Sequence, residues 1–195
     1  MIYLSLKKIS QALLLISTFL LVACSTSPLS ITLQPELSAT PVNGISMSQR
    51  NWQLSSQDFR TAQYLILVTE GEGVATLIND AKNSRLVIEK ALQHKWTEYG
   101  LKLNPKSENK ITIQLIKLLS EVKQTNFNHT TNSTITMNVR LETGTTIFNK
   151  IFTSNTEEKA PFSVNIKKTG EKLNTQLSLL LNEIINDPEL NAKLK

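Results

Sequence analysis

Few side chains in this 195-residue chain are of types that do covalent or proton-transfer chemistry: one thiol, Cys24, and two imidazoles, His94 and His129. Two carboxylates, Glu70 and Glu72, flank Gly71 in the run Thr69-Glu70-Gly71-Glu72-Gly73. That run lacks the lysine-hydroxyl ending of a phosphate-binding loop, and paired glutamates repel phosphate, so it reads as a turn. Neither histidine has a partner at ligand spacing, and there is no HExxH, no paired cysteine and no carboxylate-rich calcium loop, so neither metal nor cofactor is expected. No serine stands in a GxSxG elbow. A hydrolase would have to assemble Glu70, Glu72 or His129 in three dimensions, because carboxylates two positions apart in a turn do not fix the separation that glycoside chemistry needs. His94 lies off the apolar positions of its segment and is expected in solvent; His129, in the polar stretch from Asn126 to Thr134, is expected at a loop or strand end.

Cys24 has a more specific setting. Lys7 and Lys8 precede an apolar run from Ile9 to Val22, and a small residue follows, which is the three-part pattern of an export signal. The run is about 14 residues, short of the roughly 20 that a spanning helix needs. Leu21-Val22-Ala23-Cys24 resembles the lipobox of bacterial lipoproteins, in which Leu21 and the small Ala23 are read by the peptidase and the cysteine thiol takes up the diacylglyceryl group. A single cysteine closes no internal disulfide, so it needs another explanation. Each buried methylene adds roughly 0.8 kcal/mol of membrane affinity, and one acyl chain holds only marginally while several hold stably. Ser25, rather than Asp, follows the cysteine and resembles the default route to the periplasmic face of a Gram-negative outer membrane.

Removing residues 1–23 leaves 172 residues, one domain of ordinary size that buries a core without disulfides or metal. With Lys7 and Lys8 gone the net charge falls from +5 to +3. The lysines of the second half are scattered rather than gathered in a stripe, which argues against nucleic acid. Residues 24–42 carry Pro28, Pro35 and Pro41 and read as the anchor cysteine with a flexible tether, with a short edge strand at Ile31 to Leu33; 16 residues reach about 50 Å at most. Residues 43–195 form the expected single domain.

Within it, Ile45 and Met47 suggest a strand and Tyr64 to Thr69 a second. Asn79 to Tyr99 carries a helical repeat that Asn79 or Asn83 caps and Gly100 ends. Ile111, Ile113 and Leu115 alternate, then Ile116 and Leu118 take the opposite phase, which predicts a bulge or a strand buried on both faces. Thr134 to Leu141 alternates cleanly, Thr143-Gly144 is a turn, and Thr145 to Thr153 returns as an antiparallel partner. Leu173, Leu177, Leu180, Leu181 and Ile184 mark a second helix, and Asp187-Pro188-Glu189 begins a short terminal one. The expected fold is α+β: a mainly antiparallel sheet with two amphipathic helices on one face.

From the lipobox, through Ser84-Arg85-Leu86-Val87-Ile88-Glu89-Lys90-Ala91-Leu92 and Tyr99-Gly100-Leu101, to the strand at Ile111, the hairpin and the closing helix, the chain resembles the YajG family of bacterial lipoproteins. The resemblance implies a location and an architecture and carries no catalytic residue. The function expected is a non-catalytic envelope accessory, anchored through Cys24, that binds another protein, peptidoglycan or a lipid; the alternative is an anchored periplasmic hydrolase. Intact mass of the membrane-extracted protein should show a chain starting at Cys24 with added diacylglyceryl and N-acyl groups. A retained leader with no mass gain at Cys24 would mean an uncleaved signal anchor instead.

Overall fold

The structure, a computed structural model, describes residues 29–38 and 50–195. The strand expected at Ile45 and Met47 lies outside them. Eight strands and three helices follow in order: β1 (Ser30–Ile31), β2 (Asn51–Asp58), β3 (Tyr64–Glu70), β4 (Thr76–Asp80), α1 (Ser84–Glu98), β5 (Lys102–Leu103), β6 (Lys110–Gln124), β7 (Asn128–Thr143), β8 (Thr146–Pro161), α2 (Ile166–Asn186) and α3 (Pro188–Leu194).

The sheet corrects the expected fold class. It is mixed, not mainly antiparallel: β1 with β4, β2 with β5, and both β2 and β3 with β6 are parallel pairs. The antiparallel pairs are β3 with β4, β6 with β7, and β7 with β8. Three helices accompany it, the two long ones and the short terminal one expected at Asp187-Pro188-Glu189. The orientation escapes a reading of periodicity because alternation in one strand is the same whichever way its neighbour runs. In addition, β2, β4 and β5 were not expected, and Asn79 and Asp80, assigned to the helix, end β4 instead.

One strand organises this sheet. Along one edge β6 pairs with β7 over its whole length. Along the other, its first half takes β2 (Gln53↔Lys110 to Asp58↔Leu115) and its second half takes β3 (Ile66↔Ser120 to Glu70↔Gln124). Residues 51–70 therefore run beside β6 as one interrupted strand. The β6–β7 register slips between Leu115 and Lys117, opposite the interruption, and Ile116 is turned outward there. This is the bulge that the phase change announced.

Asp58 and Arg60 occupy the interruption. Arg60 donates from Nε to Asp58 Oδ1 (3.0 Å) and from Nη2 to Oδ2 (2.8 Å), a two-point pair, while the Arg60 side chain is only 3% exposed. The hydrogen bond from Arg60 holds the Asp58 carboxyl below the ordinary aspartate range, against the opposing effect of burial.

The helices begin where side chains satisfy their first amides. Leu86 N–H donates to Asn83 Oδ1 (3.4 Å), and Asp80 accepts from both Ser84 N–H (2.7 Å) and Ser84 Oγ (2.5 Å). Gly100 then takes φ +90°, a left-handed conformation that closes α1 at little cost to glycine. On α2, all five of the expected positions are buried, and Asn165 caps its start. Asp187 caps α3 through Leu190 N–H (2.8 Å), with Pro188 in its first turn. One core joins both long helices to the sheet, with Trp52 and Trp96 wholly buried in it.

Asp58→Asn should lower stability by about 3 kcal/mol, because Arg60 stays buried without its counter-charge; the shift of the urea midpoint measures it. A lowered folded-state pKa means that the pair stabilises fully above about pH 4 and loses this contribution as pH falls through the folded value. The variant should lack that part of the acid dependence.

Candidate functional site

Cys24, Leu21 and Ala23 lie outside the described residues. Glu70 ends β3 and Glu72 sits in the following turn, both exposed. His129, the second residue of β7, lies in the same cross-strand row as Glu70, with Gln124 between them. Two interstrand spacings put their backbones about 10 Å apart. His129 Nδ1 lies 2.9 Å from Phe162 O, to which it donates when that nitrogen is protonated. His94 is exposed on α1. The residues that a hydrolase would need thus lie near one end of the sheet without hydrogen-bonding one another. Among the described residues no three His, Cys, Asp or Glu side chains gather as a metal site.

Two surfaces carry a denser arrangement. On the sheet face away from the helices, alternate residues of β7 and β8 are Thr, Asn, Arg, Ile, Lys and Glu, with amides at the middle. Gln114 Nε2 donates to Gln57 Oε1 (3.1 Å), and Asn138 Nδ2 donates to Gln114 Oε1 (2.8 Å) and Asn149 Oδ1 (3.4 Å). Gln57, Gln114 and Asn138 stand in one cross-strand row, and the diagonal bond to Asn149 extends it to a fourth strand; the buried Asn138 Oδ1 has no hydrogen-bond partner. The row ends at β8, sixteen residues long, which pairs with β7 alone among the described residues. Ile147 and Ile151 stand exposed on that strand.

The second surface is α2 with residues 29–38 laid along it. Gln34 N–H donates to Asn174 Oδ1 (2.7 Å) and Asn174 Nδ2 donates back to Gln34 O (3.0 Å). Glu36 N–H donates to Ser178 Oγ (3.0 Å) and Ser38 N–H to Asn182 Oδ1 (2.8 Å). Every second residue of the extended segment meets every fourth of the helix, since two strand steps of about 6.6 Å nearly match four helix steps of about 6 Å. Just before these clamps Leu33 enters the core, and between the last two Leu37 packs against it. Part of the stretch read as a tether is therefore a strap fixed to the fold. The strap and α2 border an open groove of about 850 Å³. Gly170 lets the strap approach: a Cβ there would come within 2.9 Å of Ile31 Cδ1.

A smaller cavity of about 310 Å³ lies between the start of α2 and the ends of β7 and β8. Lys172 pairs with Glu158 at its wall, and that hydrogen bond lowers the Glu158 pKa despite an opposing cost of desolvation. Farther down α2, Gln176 Nε2 donates to Ser154 O (3.0 Å) and ties the helix to the sheet.

A family model described as "uncharacterized lipoprotein" matches residues 37–195. The chain belongs to that lipoprotein family. Among solved structures, a Xanthomonas campestris protein of the DUF330 family is similar at 13% identity and a TM-score of 0.52, over 84% of this chain and 96% of that one. A second, titled only as an uncharacterized protein, aligns at 10% identity and a TM-score of 0.48, over 82% and 97% of the two chains. The first likeness concerns the fold alone. No curated protein matches the lipoprotein.

Sequence reasoning missed the strap clamps, although Asn174, Ser178 and Asn182 recur every four residues, a polar stripe on an amphipathic helix that could have revealed them. It missed the amide row because strand register brings those residues together. Replacing Asn174 and Asn182 by Ala should speed amide hydrogen exchange at Gln34 and Ser38 by roughly 2- to 10-fold, the range of one net hydrogen bond of about 0.5–1.5 kcal/mol. Exchange at Leu141, in the β7 core, should not change.

Proposed function

We propose that this lipoprotein is YajG-like, is cut after Ala23, carries its acyl groups on Cys24 and resides on the periplasmic face of a Gram-negative outer membrane. There it acts as a non-catalytic accessory that binds an envelope protein through the free edge of β8. The observation that carries the binding reading is β8 itself: sixteen residues with one neighbour among the described residues, and Ile147 and Ile151 exposed. Natural sheets commonly cover or blunt so long an edge, and an extended segment of a partner can add to it through main-chain hydrogen bonds. The lipobox residues Leu21, Ala23 and Cys24 and the family membership support the anchored setting. The hydrolase alternative has less support, since Glu70, Glu72 and His129 are not hydrogen-bonded to one another.

A photo-crosslinking residue in place of Ile151 should give a discrete protein adduct in intact cells, and the same residue in place of the exposed Thr97 on α1 should not. Ile147→Asp with Ile151→Asp should reduce the adduct formed through a crosslinker at Asn149 at least about tenfold, as expected when burial worth roughly 1.5–3 kcal/mol per side chain is lost. Absence of protein adducts along β8, or recovery of murein or lipid alone, overturns the protein-binding reading. A measurable turnover abolished by Glu70→Ala, Glu72→Ala or His129→Ala would restore the hydrolase.

A further inference from the structure

The end of the sheet where β3 and β6 finish together carries three side chains that the core does not use. Val74, Phe127 and Phe162 are 98%, 81% and 75% exposed. They belong to three separate connections: β3 to β4, β6 to β7, and β8 to α2. The register places all three at one pole, because Glu70 pairs with Gln124 and Asn128 with Pro161. Phe162 is also the sole non-glycine residue with positive φ among the described residues, at +64°. A bulky residue there is strained by about 1–2 kcal/mol. Two hydrogen bonds nevertheless hold its backbone: Phe162 N–H donates to Phe127 O (2.7 Å), and His129 Nδ1 lies 2.9 Å from Phe162 O. Burial within the chain does not explain so many large apolar groups gathered in solvent.

The strap indicates what covers them. β1 runs parallel to β4, with Ser30 beside Asn79, so its amino-terminal end faces the pole, as the start of β4 does. Val74 lies five residues before Asn79, in the connection that precedes β4, and so at most about 17 Å from it. Cys24 lies six residues before Ser30 and reaches at most about 20 Å. With the strap clamped to α2, the greater part of the roughly 50 Å allowance expected for a free tether is gone. An acyl group on Cys24 can therefore lie level with the Val74 turn and hardly beyond it.

We propose that this pole rests on the bilayer, with Val74, Phe127 and Phe162 entering the lipid interface beside the acylated cysteine. The proposal rests on the Cys24 anchor of the preceding section. Glu70 and Glu72 end and follow β3 at this pole, and Lys123, Lys159, Lys167 and Lys168 stand within a few residues of it on β6, β8 and α2; the charge there is mixed, and apolar insertion rather than attraction to anionic headgroups drives the contact.

The test uses the mature full chain, extracted from membranes and reconstituted in phosphatidylethanolamine–phosphatidylglycerol vesicles. Single Val74→Cys, Phe127→Cys and Phe162→Cys variants carry an environment-sensitive thiol dye, with Thr145→Cys at the opposite end and Leu179→Cys on the exposed face of α2 as comparisons. Lipids with brominated acyl chains should quench the three pole dyes at least about twofold more than the dye at position 145. Equal quenching at 145, or strongest quenching at 179, overturns the docked pole while leaving the anchor intact. Intact mass and dye uptake by the unmutated chain report the anchor separately: a free, labelled Cys24 without added acyl mass removes the anchor and the pole proposal with it.

Discussion

The constraint on which the architecture depends is the double parallel pairing of β6. A fifteen-residue strand with β7 along one edge needs an equally long neighbour on the other, and the chain supplies it in two pieces, β2 and β3. Where the pieces meet, hydrogen bonding is interrupted. The slip at Leu115–Lys117, the outward Ile116 and the buried Asp58–Arg60 pair gather there. Parallel neighbours require crossovers. The intervening β4, α1 and β5 form such a crossover, which places α1 against β2 and Trp96 in the core.

The two faces of the sheet then diverge. On the helix side, burial is complete enough for α2 to need little help from charge, and Gln176 is its main polar tie to the sheet. On the other side, hydroxyls and amides prevail, and the Gln57–Gln114–Asn138–Asn149 row links four strands without ions. Amide side chains both donate and accept, so each can bond the neighbour on either side; a row of lysines or glutamates would repel itself. A polar face of this kind keeps its hydrogen bonds at any physiological pH.

What could be read from sequence followed from local periodicity. The 4, 3, 1 and 3 spacing from Leu173 to Ile184 leaves α2 little alternative, and the phase change at Ile116 marks the bulge. Thr134 to Leu141 declares a strand with one buried face. β2 was hidden because Ser55, Ser56, Gln57 and Asp58 have weak strand preference, and its pairing with β6 closes a long loop. β4 was absorbed into α1 because Ile78 stands three residues before Ala81, a spacing that suits a helix as well as a strand. The chemistry proposed for Cys24 rests on the sequence alone, because peptidase recognition is a linear code. The strap was not legible, since Pro28, Pro35 and Pro41 suggest an extended chain without saying that it is fastened.

That fastening has a mechanical side. The strap lies alongside α2 and points in the same direction, and its β1 portion is likewise parallel to β4. Tension applied at the amino-terminal end pulls along these contacts rather than peeling them away from one end. The bonds to Asn174, Ser178 and Asn182 and the β1–β4 pairs therefore share the load and yield together, as in a lap joint. A body pulled by the amino-terminal end of its strap is held by a seam that resists sliding.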